Sequence, residues 1–125
     1  MVSRRKSLVA VVEDDAGVRT ALLELLRSCD LKARGFASAE QFLKSQQRYQ
    51  AACLVVDMRL PGMTGLELLR TLQGSGLHIP AICSTAEADP DGRLRLDLLQ
   101  AGALAVLGKP FDPDQLIALI AAALT

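Results

Sequence analysis

Short apolar runs alternate with helix-patterned stretches along the chain, and this alternation restricts its fold more than any other feature. The runs cover residues 8–12, 53–56, 81–83 and 103–107. A weaker run, 32–36, alternates apolar with polar residues as a half-exposed edge strand does. Apolar stripes at helical spacing lie between the runs. They are Val18, Leu22, Leu25 and Leu26; then Leu66, Leu69 and Leu72, widened by Leu68; then Leu94, Leu98 and Ala101; then Leu116, Ile117, Ile120 and Leu124. Ser38 followed three residues later by Gln41 reads as a capping box opening a further short helix. Gly102 closes a helix, and Gly35 loosens the edge strand. Strand and helix therefore alternate five times. That order predicts an α/β fold, a doubly wound five-stranded parallel sheet with five helices on its two faces and right-handed crossovers.

The chain has 125 residues, half of them hydrophobic, which is enough for one core without disulfides or metal. Residues 1–125 are expected to form a single domain, with no repeat, linker or second domain within them. Fourteen basic side chains balance fourteen acidic ones, so net charge gives no reason to expect nucleic-acid or membrane binding. The Arg4-Arg5-Lys6 cluster reads as a solubilising tail. Cys29, Cys53 and Cys83 lack metal-ligand spacing, and two of them sit in apolar runs as small hydrophobes. This usage suits a reducing cytosol, so a cytoplasmic location is expected. No run is long enough for a signal-peptide core or a membrane span.

The runs end on polar groups. Glu13-Asp14-Asp15 follows the first, Asp57 the second, Ser84-Thr85 the third and Lys109 the fourth. Open parallel sheets bind ligands at the carboxyl ends of their strands, so these ends describe one site. Two carboxylates about 4 Å apart repel by roughly 4 kcal/mol at an effective dielectric near 20. Lys109 alone cannot neutralise Glu13, Asp14 and Asp57. Either a carboxylate is protonated or a divalent cation is bound, and ligands that are all oxygen favour Mg²⁺. The set suits phosphoryl transfer onto a carboxylate, with Lys109 and the Thr85 hydroxyl facing the phosphoryl oxygens. Asp14 and Asp57 have no spare partner of their own, which leaves Asp57 free to attack.

Val11-Val12-Glu13-Asp14-Asp15, the stretch from Val56-Asp57-Met58-Arg59 through Leu60-Pro61-Gly62-Met63-Thr64-Gly65, Ser84-Thr85-Ala86 and Lys109-Pro110-Phe111 together resemble the receiver domain of two-component response regulators. The likeness covers essentially the whole chain, in order. It implies a flavodoxin-like sheet of order 2-1-3-4-5 and phosphorelay signalling. Asp57 would be the phosphoacceptor, taking its phosphoryl group from a histidine kinase or a histidine phosphotransfer protein. Asp14 and Asp57 would ligate Mg²⁺ with the Arg59 carbonyl, and Glu13 would act mainly through water. Thr85 would be the switch hydroxyl, Lys109 the phosphate-contacting cation and Lys109-Pro110 a cis peptide. The fourth-helix, fifth-strand and fifth-helix surface would shift and control a partner, a homodimer through the last two helices among the candidates. The segment Phe36-Ala37-Ser38-Ala39-Glu40-Gln41-Phe42-Leu43 resembles receivers fused to a C-terminal helix-turn-helix.

Three positions depart from the family's pattern. The Thr85-to-Lys109 interval is about two residues longer, the excess falling in Ala88-Asp89-Pro90-Asp91-Gly92. Val106 stands where an aromatic is common, and Gly108 precedes the lysine. These departures motivate an alternative, a phosphorylation-independent interaction module on the same fold. A third reading, a Mg²⁺-dependent phosphatase, needs an acid two residues after the nucleophile, and Arg59 occupies that place. Among the neighbours, Asp15 reads as a helix-start charge and His78 as a loop residue. Arg59 and Glu87 flank the site. Leu96 and Leu119 fall outside the inward stripes and are candidates for a partner face.

Overall fold

A computed structural model describes residues 8–86 and 88–125; the basic tail at 4–6 and Glu87 lie outside them. The elements are β1 (Leu8–Val12), α1 (Ala16–Ser28), β2 (Lys32–Phe36), α2 (Ala39–Lys44), a 3-10 turn (Gln46–Tyr49), β3 (Ala51–Asp57), α3 (Gly65–Gly74), β4 (Ala81–Thr85), α4 (Arg93–Gln100), β5 (Ala103–Gly108) and α5 (Pro113–Leu124). The sheet runs β2-β1-β3-β4-β5 with every pairing parallel. Its order reverses direction at β1, between β2 and β3, as a doubly wound sheet requires.

Successive strand residues face opposite sides, so each buried strand serves two cores. Ala10, Val12, Leu54, Val56 and Cys83 pack with Phe42 of α2, Leu68, Leu69 and Leu72 of α3, and Leu98 of α4. Val9, Val11, Cys53, Val55 and Ile82 pack on the other side with Leu26 of α1 and with Leu116 and Ile120 of α5. β2 is half-exposed as its sequence announces, with Lys32 and Arg34 outside, Ala33 buried between them and Phe36 buried at its end. β5 is the second edge, although its sequence is apolar throughout, and Leu104 on it is exposed.

Several local expectations change on contact with the neighbours. Val18 does not join the inward stripe of α1; it is 41% exposed beyond the carboxyl end of the sheet. Leu22, Leu23 and Leu26 do the packing instead. Leu119 is partly buried against the α5 core, whereas Leu96 is 53% exposed. Gly35 does not loosen β2. A Cβ there would come within 2.9 Å of Arg19 and Leu23 side-chain atoms, so this glycine lets α1 lie close on the strand.

The helix starts follow from side-chain chemistry. Asp15 Oδ1 accepts the Val18 N–H at 3.0 Å, which makes Asp15 the N-cap of α1. Ser38 Oγ accepts the Gln41 N–H, but the Gln41 side chain returns to the Ala37 N–H, one residue short of a closed box. A complete box, which the sequence reading passed over, opens α3: Thr64 and Glu67 each accept the other's backbone N–H. The extra residues before α4 form its cap. Asp89 accepts the Leu94 and Arg95 N–H groups, and Asp91 accepts that of Arg93. Lys109-Pro110 is cis.

Burial pushes the Cys53 and Cys83 thiols up to about 12, while Cys29 is exposed. A thiolate, not a thiol, reacts with alkylating reagents. Titration of the native chain with a thiol reagent near neutral pH should therefore modify Cys29 alone, with Cys53 and Cys83 reacting only after denaturant is added. Rapid native modification of Cys53 or Cys83 would contradict this packing.

Candidate functional site

Strand parity and register together build the site. Val9 pairs with Cys53 and Val11 with Val55, all on the α5 side of the sheet. The next step of that register sets Glu13 beside Asp57. On β4 and β5, Thr85 pairs with Gly108, so Lys109 is the first residue past the sheet. The Lys109 N–H donates to the Thr85 carbonyl at 2.8 Å, and the Met58 N–H donates to the Ser84 carbonyl at 2.9 Å. These bonds hold the strand ends in line.

Glu13 is 3% exposed and Asp57 8%, while Asp14 stands in solvent. Carboxylate oxygens of all three lie within 4.8 Å of one another. The Lys109 ammonium sits 3.2 Å from Asp57 Oδ2 and 3.5 Å from Glu13 Oε1. The Arg59 N–H donates to Asp57 Oδ1 at 3.3 Å, and the Asp15 N–H to Glu13 Oε2 at 3.2 Å. The cluster opens into a hollow of about 390 Å³ whose walls include Val18, Arg59 and Thr85. Thr85 is buried at its edge.

This geometry revises two expectations. Asp57 is not without a partner, because Lys109 and the Arg59 N–H both engage it. Glu13 is the most buried acid of the three and touches Lys109 directly. From the sequence, three consecutive acids compete for the inward place, and only the β1–β3 register decides among them. His78 lies in the turn before β4, at the opposite end of the strands from Asp57, in keeping with a loop role.

Burial raises the Glu13 carboxyl above its ordinary value. The charge of Asp57 and the nearby Asp14 add to this; the Asp15 N–H and Lys109 oppose it. Among the described residues, one ammonium makes both ion-pair contacts, so three carboxylates share a single paired cation at the mouth of a polar hollow. Donors that are all oxygen, two of them buried and one open to water, fit a hard divalent cation that retains part of its hydration shell.

The response regulator receiver domain family matches residues 9–121. The chain belongs to this family. Nodulation protein W of Bradyrhizobium diazoefficiens is 38% identical over 94% of the chain, and the transcriptional regulatory protein FixJ of Azorhizobium caulinodans is 38% identical over 93%. The chain spans about half the length of these curated relatives, 51% and 54%. Among solved structures, the response regulator StyR aligns at a TM-score of 0.85 with 39% identity, covering 95% of this chain and 59% of its own. The N-terminal FixJ structure aligns at 0.82 with 32% identity, covering 94% and 92%. This receiver is phosphorylatable, and its Glu13, Asp14 and Asp57 cluster matches the family's phosphoaspartate and Mg²⁺ site. The family's chemistry is its own phosphorylation and dephosphorylation. Among the described residues, no helix is long and apolar enough to cross a membrane.

Crowded like charges destabilise a fold, and Asp14 contributes repulsion without an ion pair among the described residues. Asp14→Asn should therefore raise the thermal midpoint of the metal-free protein by a few degrees, about 1 kcal/mol, and abolish most of the stabilisation by added Mg²⁺. Melting curves with and without Mg²⁺ check this. An unchanged Mg²⁺ response in the variant would contradict it.

Proposed function

We propose that Asp57 is the phosphoacceptor of this receiver and that the surrounding residues divide the work of phosphoryl transfer. The observation that carries this reading is the meeting of Glu13, Asp14 and Asp57 oxygens within 4.8 Å, with Lys109 at 3.2 Å from Asp57. An Asp57 oxygen attacks the phosphorus of a phosphohistidine on the donor protein. A new O–P bond forms, the N–P bond breaks, and its electron pair returns to the imidazole. The Asp14 and Asp57 side chains and the Arg59 carbonyl would hold Mg²⁺, and Glu13 would support the ion from its buried position. When bound, Mg²⁺ would supply positive charge to the phosphoryl oxygens. Lys109 moves from its contact with Asp57 to those same oxygens, and the Thr85 hydroxyl donates a hydrogen bond to one of them. Water later attacks the phosphorus of the acyl phosphate; the P–O bond to Asp57 breaks, inorganic phosphate leaves and the carboxylate is restored.

The same reading takes residues 1–125 as one receiver domain in the cytosol, where Cys29, Cys53 and Cys83 stay reduced. The new charge on Asp57 draws Thr85 inward and shifts α4, β5 and α5. An effector segment for transcription is supported by relatives about twice as long, one of them named a transcriptional regulator. Val106 cannot act as a swinging ring, and it is partly buried against the α3–α4 core. That observation favours a second reading, in which a partner binds α4, β5 and α5 whatever the state of Asp57.

Intact-mass measurement after incubation with acetyl phosphate and Mg²⁺ tests the first reading. The wild type should gain one phosphoryl group, Asp57→Asn none, and a chelator should prevent the gain. Lys109→Met should label about 10²-fold more slowly, the usual loss when one charge-stabilising donor is removed. An unmodified wild type, or an adduct of equal yield in Asp57→Asn, ends this reading.

A further inference from the structure

The segment joining β3 to α3 carries Arg59. Its two ends are held by the Met58 N–H to the Ser84 carbonyl and by the Thr64 N–H to Glu67. Two further ties are local: the Arg59 N–H to Asp57 Oδ1, and the Gly65 N–H to the Met58 carbonyl at 3.2 Å. The turn between them is held from α2. Glu40, in the first turn of α2, accepts the Met63 N–H with its Oε2 at 2.9 Å, across 23 residues of sequence. That bond holds the Glu40 carboxyl below its ordinary value.

The anchor behind Glu40 is firm. Ser38 caps α2, and Phe42 is fully buried edge-on to Phe36, with ring centroids 5.2 Å apart. The turn is shaped to receive the carboxylate. Gly62 has φ +74°, and a Cβ there would lie 2.5 Å from Glu40 Oε2. The other oxygen, Oε1, is buried without a hydrogen-bond partner. An apolar side chain would fill that place without leaving a buried acceptor unpaired. The carboxylate is explained by what its first oxygen holds.

We infer that Glu40 is a positioning residue for the metal half of the phosphorylation site: it clamps the β3–α3 segment through Met63 and keeps the Arg59 carbonyl within reach of the dication. Glu40 touches no reacting atom. The inference rests on the assignment of Arg59 as a ligand above. Groups that orient metal ligands from outside the coordination shell typically change affinity by about 10- to 100-fold when lost.

The test compares the full wild-type chain with Glu40→Met, which keeps the length and loses the acceptor, and Glu40→Gln, which keeps an acceptor. Labelling by acetyl phosphate is followed as a function of Mg²⁺ concentration, alongside thermal melting. Glu40→Met should raise the Mg²⁺ concentration for half-maximal labelling about tenfold, the low end of that range, and retain the rate at saturating Mg²⁺. Glu40→Gln should restore the wild-type requirement. A lowered melting point with an unchanged Mg²⁺ requirement in Glu40→Met would overturn the inference, as would failure of Glu40→Gln to restore it. Amide exchange in the wild type keeps the clamp testable if Glu40→Met does not fold. The Met63 N–H should be protected, and exchange at the free-peptide rate would overturn the clamp. A wild type that never labels removes the Asp57 assignment and the clamp together; a labelling wild type with an indifferent Glu40→Met removes the clamp alone.

Discussion

Mutual repulsion among three carboxylates is the constraint around which this molecule is arranged. The fold forces Glu13, Asp14 and Asp57 within 4.8 Å of each other, and among the described residues a single ammonium, Lys109, contacts two of them. At such separations like charges oppose each other by roughly 4 kcal/mol at an effective dielectric near 20. A domain of this size is stable by only about 5–15 kcal/mol in total. The arrangement persists because the strands that deliver these residues are locked into two apolar cores. Lys109 relieves part of this strain, a dication among the same oxygens would relieve more, and a phosphoryl group could exploit the same cations.

The path from sequence to site runs through parity. Side chains along a strand alternate, and the β1–β3 register is in step, so Val11 and Val55 share a core and Glu13 and Asp57 share a pocket. Buried strands make register costly to change, since a one-residue slip would send every side chain into the opposite core, where the packing does not fit it. Site geometry and core packing are therefore the same fact seen at two ends of the strands. The backbone bonds from Lys109 to Thr85 and from Met58 to Ser84 carry that order one residue past the sheet.

Most of the architecture was legible in the order of apolar runs and stripes. β2 was read to its observed bounds because an edge strand announces itself by alternation, and the four polar strand ends did converge. What stayed hidden depended on neighbours. Val18 has the right helical phase, yet it lies where the sheet has ended. Leu119 has the wrong phase by simple spacing, yet it meets the α5 core. Glu13 could not be separated from Asp14 and Asp15 without the register. The Asp89 cap of α4 looked like an insertion, because the function of its carboxylate appears only once Leu94 and Arg95 present their N–H groups to it. The Glu40–Met63 bond joins elements distant in sequence, and no local pattern marks it. The Thr64–Glu67 capping box was readable and was missed.

A crystal structure of the chain with Mg²⁺ and beryllofluoride tests the central claim most directly. One ion should lie about 2.1 Å from oxygens of Asp14, Asp57 and the Arg59 carbonyl. The beryllofluoride should sit on Asp57, with Lys109 and Thr85 turned toward its fluorines. An ion bound elsewhere, or an Asp57 left bare beside an intact Lys109 contact, would contradict the account.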